Sequence, residues 1–213
     1  MAERWIFRGH IAGVGTASGL RAVVGLWDKT PFGPFSDVMV ELPSGHRVLL
    51  APDPETAAFI EGTYDFDEIR VLKVGTRLNA ESLEVDAGPL HICAGLGART
   101  GLGQLLARVP RRLAVHPWWL RAVNPAVARI SPGTQTAGEA KDGRREFYGV
   151  TDLVGIDSAV VSWEGKDAGG LRDITPAVRF GFSSMPPRPS LATVQTTVQT
   201  TVQVHPQTGV QKP

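Results

Sequence analysis

Polar side chains that could do chemistry lie close together in one strand-like segment of the sequence. Glu146 and Tyr148 are two residues apart, so they share a face if the segment is a strand, and Arg145 and Asp152 flank them. Facing an apolar pocket, they would supply acid, base or anchoring groups. Facing outward, they would form the solvated side of an antiparallel strand. We take Tyr148 and Asp152 as candidate catalytic residues, and Arg145 and Glu146 as candidate ligand-binding residues.

His91 is the third candidate acid or base, and it shares a strand face with Cys93. The other histidines are not clustered with this pair, so the sequence predicts no metal site. The alternative is a hydrogen-bonded histidine beside a small buried thiol. One cysteine also excludes an intramolecular disulfide.

Two further features suggest a Schiff-base lysine and a dinucleotide-binding loop, but the sequence lacks other residues that these sites require. Lys73 is on an apolar strand face, where a depressed pKa would make a Schiff-base nucleophile, but its long stem can also reach water near the strand end. The glycines of residues 94–103 follow a strand, as in a dinucleotide-binding loop. No acidic residue occurs between Asp86 and Glu139 to bind a ribose. We therefore predict a glycine-rich turn and no cofactor.

Trp118 and Trp119 are candidate ligand contacts in a helical segment that also carries Arg111, Arg112 and Arg121. Such a segment could be a lid over an apolar ligand or an interfacial helix. The alternative is a helix that packs its tryptophans on a sheet and solvates its arginines.

Alternating apolar residues predict the elements that must position these side chains. Strands are expected at 5–14, 20–27, 37–42, 46–51, 68–74, 82–85, 90–94, 145–156, 159–163 and 177–182, and a short helix at 53–61. The fold class is mainly β, an antiparallel barrel or sandwich of lipocalin-like or β-cone-like form, with a helical insertion around residues 101–130. Residues 1–192 form one domain. Residues 193–213 form a Thr/Val/Gln tail, partly strand or disordered, and its uncharged strand suggests a homodimer as one alternative.

Charge is balanced overall and uneven locally. The net charge of +1 gives no reason to expect nucleic acid as a partner. Residues 36–68 hold eight acids and one base, whereas residues 87–138 hold six arginines and no acid. The arginines would either contact an anionic membrane or dock on the protein's own acidic half. No segment has the apolar length of a membrane span, so a cytoplasmic location is expected.

Two resemblances rest on the same part of the chain. The stretches 145–149, 163–167 and 178–184 resemble an uncharacterised bacterial β-rich family. Residues 145–149, Arg-Glu-Phe-Tyr-Gly, are also similar to the Arg-Glu-aromatic-Gly strand of acetoacetate-decarboxylase-like proteins, which implies a β-cone. That family continues with a Pro-Lys pair that supports Schiff-base chemistry. Val150 and Thr151 stand at those positions here, and Lys73 does not restore the motif.

Three functional hypotheses follow. The first is binding of an apolar or amphipathic small molecule inside the β structure. The second is an enzyme, such as an isomerase, cyclase, hydratase or lyase, that uses the same cavity. The third is an interaction protein that assembles through the C-terminal strand.

Overall fold

A computed structural model of the chain describes residues 3–130, 133–181 and 183–200. Strands account for 49% and helices for 17%, which confirms the mainly β fold class. The strands are β1 (Glu3–Thr16), β2 (Arg21–Lys29), β3 (Phe35–Glu41), β4 (Arg47–Ala51), β5 (Glu68–Val71), β6 (Gly75–Leu78), β7 (Ser82–Ala87), β8 (Leu90–Arg99), β9 (Ala137–Glu139), β10 (Arg145–Trp163), β11 (Lys166–Asp167), β12 (Leu171–Arg172) and β13 (Ser190–Thr200). The helices are α1 (Pro54–Glu61), α2 (Gly101–Leu106), α3 (Arg111–Ala114) and α4 (Pro117–Ile130), with a short 3-10 turn at Lys141–Gly143.

All the described strands belong to one sheet that curls into a half-barrel. Its main path runs β5-β4-β3-β2-β1-β13-β10-β8-β7-β6, and its neighbours are antiparallel except for β4 and β5. β10 shifts register at three points, between Val150 and Asp152, Val154 and Ile156, and Ile156 and Ser158. Such bulges increase local twist, which helps a long strand follow the curl.

The C-terminal strand β13 lies in the middle of this sheet. It pairs with β1 on one side and with β10 on the other. The boundary predicted between residues 192 and 193 therefore falls inside a central strand. Its backbone edges are occupied on both sides over most of its length, so a dimer that pairs through this strand would have to displace a neighbour. Residues 201–213 of the predicted tail are outside the described part of the chain.

The two faces of the sheet differ in what they pack against. Alternate residues such as Val24, Val38, Leu50, Leu83 and Ile92 form one apolar core that joins strands from both halves of the sheet. The intervening residues of β1, β2, β3 and β13 point to the opposite face. That second face is covered by helices and by an irregular segment after β12, and it carries the candidate site.

The predicted helical insertion is present as α2, α3 and α4, which we call the cap. Thr100 caps α2 by accepting a hydrogen bond from the Gly103 N–H at 2.9 Å. Asn124 ties α4 to the sheet, because its side-chain oxygen accepts the N–H of Thr136 at 2.7 Å. No helix within the described ranges is long and apolar enough to cross a membrane.

The strand predicted at 177–182 is not observed among its described residues. Arg179 instead uses its backbone N–H and its guanidinium to bind the carboxylate of Glu41, at 2.9 to 3.0 Å. Glu41 is fully buried and also pairs with Arg21 at 3.1 Å. This ion cluster around the buried Glu41 holds the irregular segment against the ends of β2 and β3, where its Val178 and Phe180 cover the second face.

Candidate ligand-binding site

A cavity of about 200 Å³ lies on the second face of the sheet. Strands β1, β2, β3, β10 and β13 form its floor, and α1, α2, α4 and residues 178–181 and 183–186 contribute to its walls. Most of the lining is apolar or aromatic, and includes Phe7, Val23, Trp27, Met39, Phe59 and Val194. This composition is typical of a small-molecule site, in which a few polar groups fix the orientation of the ligand.

The main polar group of the cavity is a carboxyl held by two tyrosines. Tyr64 and Tyr148 donate their hydroxyls to Oε2 of Glu146, at 3.0 and 2.9 Å. The two hydroxyls are also within hydrogen-bond distance of each other. Period-two geometry places Glu146 and Tyr148 on the same face of β10, while Tyr64 comes from the loop after α1.

Burial changes the proton affinity of these groups. Removal from water raises the pKa of Glu146 to about 7, although hydrogen bonds from Tyr148 and Tyr64 and the charge of Arg144 lower it. Burial also raises the pKa of both tyrosines well above 10, and the neighbouring carboxylate adds to this. The tyrosines are therefore neutral donors, and Glu146 can exchange a proton near neutral pH.

Asp37 provides a second buried carboxyl in the same cavity. Its Oδ1 accepts a hydrogen bond from Trp27 Nε1 at 2.9 Å, and the residue is 3% exposed. Burial raises the pKa of Asp37 to about 7, and the Trp27 hydrogen bond opposes this. Gly25 makes the contact feasible, because a Cβ at that position would collide with both Asp37 Oδ1 and Trp27 Nε1.

Thr196 adds a polar group that no described residue satisfies. It lies between Phe7 and Tyr148 in the strand register and lines the cavity. Its Oγ1 is buried and has no hydrogen-bond partner among the described residues. A buried hydroxyl without a partner costs about 1–3 kcal/mol. Such a group is suited to a ligand that brings a hydrogen-bonding atom.

The lining carries two acids and, among the described residues, no lysine, arginine or histidine. Arg144 acts on Glu146 electrostatically, but its guanidinium bonds the Phe59 carbonyl at 3.1 Å and the Thr63 hydroxyl at 2.8 Å. An anionic ligand would meet no pairing cation at the described cavity wall. A buried charge without a partner is strongly unfavourable.

The structure brings two of the predicted site residues, Glu146 and Tyr148, to the cavity. His91 is not a cavity residue. The alternation of β8 buries Leu90 and Ile92 and turns His91 outward, where it contacts Asp86 at 3.4 Å. Cys93 is exposed on the same side, contrary to the buried thiol of the alternative interpretation.

The other candidates also lie outside the described cavity lining. Asp152 forms a two-point contact with Arg99, at 2.7 and 2.8 Å, and the bulge after Val150 separates it from the face of Tyr148. Arg145 is exposed because it alternates with Glu146 along β10. Trp118 is 55% exposed, and Trp119 packs edge-on against it at 6.0 Å.

The lysine and glycine features likewise have structural explanations. Lys73 is exposed. Val150 and Thr151 stand where acetoacetate-decarboxylase-like proteins have their Pro-Lys pair, and Val150 lines the cavity. The described wall therefore offers no amine for Schiff-base chemistry. Gly103 lets α2 pack directly on β10, since a Cβ there would collide with the Leu153 carbonyl. Gly97 similarly leaves room for the Asp157 side chain.

Sequence reasoning missed Asp37, Trp27, Tyr64 and Thr196. Asp37 and Met39 alternate with Val38 and Val40 in β3, which signals a strand with two buried faces. An acid on such a strand could have been identified as a buried carboxyl. Nothing local to Tyr64 links it to Glu146, which lies 82 residues further along the chain.

Comparison with known proteins shows a weak structural similarity. No protein-family model matches the chain. No curated protein matches it either. A crystal structure of acetoacetate decarboxylase from Legionella pneumophila matches with a TM-score of 0.41 and 10% identity, over 92% of this chain and 82% of that chain.

Proposed function

We propose that the protein binds a neutral or cationic apolar small molecule in the cavity. The observation that carries the proposal is the composition of the cavity lining. The cavity of about 200 Å³ has a largely apolar wall with two buried acids and no basic side chain among its described residues. Apolar burial provides affinity, and the few polar groups provide orientation.

The polar groups favour a ligand with a hydroxyl, carbonyl or amine at one end. Glu146 can accept a hydrogen bond when ionised and donate one when protonated. Tyr64 and Tyr148 supply hydroxyls beside it, and Thr196 supplies an unsatisfied Oγ1. A carboxylate ligand is disfavoured, because it would add a third acid to this wall.

The test compares three probes of equal chain length: 1-octanol, octylamine and octanoate. Binding to the full chain is measured by isothermal titration calorimetry at pH 8, where Asp37 and Glu146, with pKa values of about 7, are mostly ionised. We expect octanol and octylamine to bind, and octanoate to bind at least tenfold more weakly. Asp37→Asn and Glu146→Gln should weaken octylamine binding more than octanol binding.

The outcomes separate two errors. If none of the probes binds, and native mass spectrometry of the purified protein shows no bound molecule, the binding proposal is abandoned. If octanoate binds as tightly as octylamine, a cavity ligand remains but its assigned charge is wrong. Glu139→Gln is a suitable control, because it removes an acid from an exposed position outside the described lining.

A second candidate function is proton transfer to or from the same ligand. The observation that favours it is Glu146, whose pKa of about 7 suits a general acid or base near neutral pH. Its two tyrosine neighbours could stabilise negative charge on a carbonyl oxygen as a proton leaves the adjacent carbon.

This candidate is tested with octan-2-one in D2O, by following deuterium entry next to the carbonyl by mass spectrometry. We expect the wild-type protein to accelerate exchange, and Glu146→Gln to reduce the rate at least a hundredfold while still binding octanol. Exchange no faster than in buffer would remove the enzymatic candidate and leave the binding proposal in place.

A further inference from the structure

The cap carries exposed apolar side chains together with exposed positive charge. Leu105 is 59% exposed and Trp118 is 55% exposed. The exposed arginines of the same helices and their connections are Arg108, Arg111, Arg112 and Arg129. We call these six residues the cap surface.

The arginines of the cap surface are not neutralised within the described structure. None of the four forms an ion pair with a described residue, whereas Arg99 is paired with Asp152. Arg121, on α4, lies 5.0 Å from the Phe147 ring. Residues 87–138 contain no acid, so local sequence neighbours cannot compensate the charge either.

The alternative, that these arginines dock on the protein's own acidic half, is not what the structure shows. The described ion pairs of the acids in residues 36–68 are made with bases outside the cap. Glu41 binds Arg21 and Arg179, Asp65 binds Lys141 at 2.9 Å, and Asp67 binds Arg47 at 2.9 Å. The cap surface therefore remains available to an external anion.

We propose that the cap surface binds the surface of an anionic phospholipid bilayer. Arginines next to an anionic leaflet and a tryptophan at headgroup level are the usual composition of an interfacial contact. The exposed leucine would enter the acyl boundary. A nucleic acid would use the arginines but would leave the apolar side chains without a role.

The position of the cap gives this contact a consequence for the cavity. Leu102 lines the cavity and is also 39% exposed, and Leu106 and Val127 line it from the same helices. The helices that would meet the bilayer thus also close the cavity. The bilayer contact itself does not depend on the proposed ligand, and the two are measured separately.

The experiment is flotation of the full chain with phospholipid vesicles. Vesicles of phosphatidylglycerol and phosphatidylcholine in equal parts are compared with pure phosphatidylcholine, at low and high salt. We expect at least tenfold stronger partitioning to the anionic vesicles, with most of it lost at high salt because charges at a surface are screened.

A charge-matched pair of triple variants assigns the contact to the cap. Arg111→Gln, Arg112→Gln and Arg129→Gln together should reduce partitioning at least tenfold, since each arginine near an anionic surface contributes about fivefold. Arg4→Gln, Arg172→Gln and Arg188→Gln remove three exposed charges elsewhere and should have less than a twofold effect. Leu105→Ser should weaken partitioning while keeping its salt dependence.

Three results would overturn the proposal. The first is equal partitioning to both vesicle types. The second is an equal loss in the two triple variants, which would mean that only the net charge matters. The third is tighter binding of a DNA duplex than of anionic vesicles under the same salt conditions, which would make the surface a nucleic-acid contact. Circular dichroism of each variant checks that it is folded.

Discussion

Asp37 and Glu146 keep their protons to a higher pH than ordinary carboxyls because the cavity wall excludes water. Both have a pKa of about 7 in the folded protein. In the unfolded chain they would ionise near pH 4. Between these values the folded state binds more protons than the unfolded state. The stability that these two groups contribute is therefore complete below about pH 4 and is lost as the pH rises to about 7.

The first prediction isolates this effect with Asp37→Asn, which keeps an oxygen for the Trp27 N–H. We expect the free energy of unfolding of the variant, relative to that of the wild type, to increase between about pH 4 and pH 7 and to stay constant above. A pKa of about 7 in the folded protein and near 4 in the unfolded chain corresponds to about 4 kcal/mol, so a gain of about 2–4 kcal/mol is expected. Urea denaturation at a series of pH values measures it.

Carboxyls whose pKa is lowered in the folded protein contribute stability with the opposite pH dependence. Comparing the variant with the wild type cancels their contributions. Hydrogen bonds from Arg47 lower the pKa of Asp67, and the N–H and hydroxyl of Thr56 lower that of Asp53. Both groups are present in the wild type and the variant, so their contributions cancel. Parallel stability curves for the two proteins would show that Asp37 is ionised normally.

At the scale of elements, the floor of the cavity depends on a glycine in β2 that leaves room for side chains of β2 and β3 to meet. Trp27 reaches back over Gly25 to bond Asp37, which is the register partner of Gly25. A side chain at position 25 would occupy the path of this hydrogen bond. The glycine thus lets an indole and a carboxyl meet on the floor of the site.

The second prediction is that Gly25→Ala destabilises the protein by about 2–4 kcal/mol, from overpacking and loss of the Trp27–Asp37 hydrogen bond. Gly75→Ala is the matched control in strand β6, because its Cβ would meet the Asp86 oxygen at an ordinary 3.6 Å. We expect the control to be neutral or slightly stabilising. Urea denaturation compares them, and equal effects would contradict the steric explanation.

The periodicity of the sequence predicts most of the strands and the helical insertion, but it does not locate the cavity. Alternation predicted the strands around Glu146 and the helical insertion, because side chains on a pleated strand must point to opposite faces. It could not tell which face would carry the cavity, since β2 is buried on both faces from Arg21 to Leu26. It also predicted a strand at residues 177–182, where the buried Glu41 binds the Arg179 backbone N–H instead.

At the scale of the whole molecule, the sheet order decides which strands are protected. The site combines Asp37, Tyr64 and Glu146 from distant parts of the chain. The sheet order places Asp37 and Glu146 on one face, and Tyr64 reaches them from the loop after α1. β13, although close to the C-terminus in sequence, has β1 and β10 as neighbours, whereas β5 and β6 end the path. Central strands have all their ladder hydrogen bonds made.

The third prediction concerns amide hydrogen exchange measured by mass spectrometry on the native protein. We expect the amides of β1, β13 and the paired part of β10 to exchange most slowly, and those of β5 and β6 at least tenfold faster. If β13 exchanges as fast as β6, it is not the central strand described here. Such a result would favour the hypothesis that the protein assembles through β13.

The pairing of β1 with β13 also has a consequence for the order in which the protein can be made. Arg8 and Gln195, 187 residues apart in the chain, contact each other across these two strands. During synthesis, β1 to β4 emerge long before the strand that joins them to β10. Their apolar faces stay incompletely covered until β13 has been translated, a situation that favours aggregation. The described sheet therefore cannot be completed before β13 has been made, and chaperone dependence should be greatest for a nascent chain that still lacks β13.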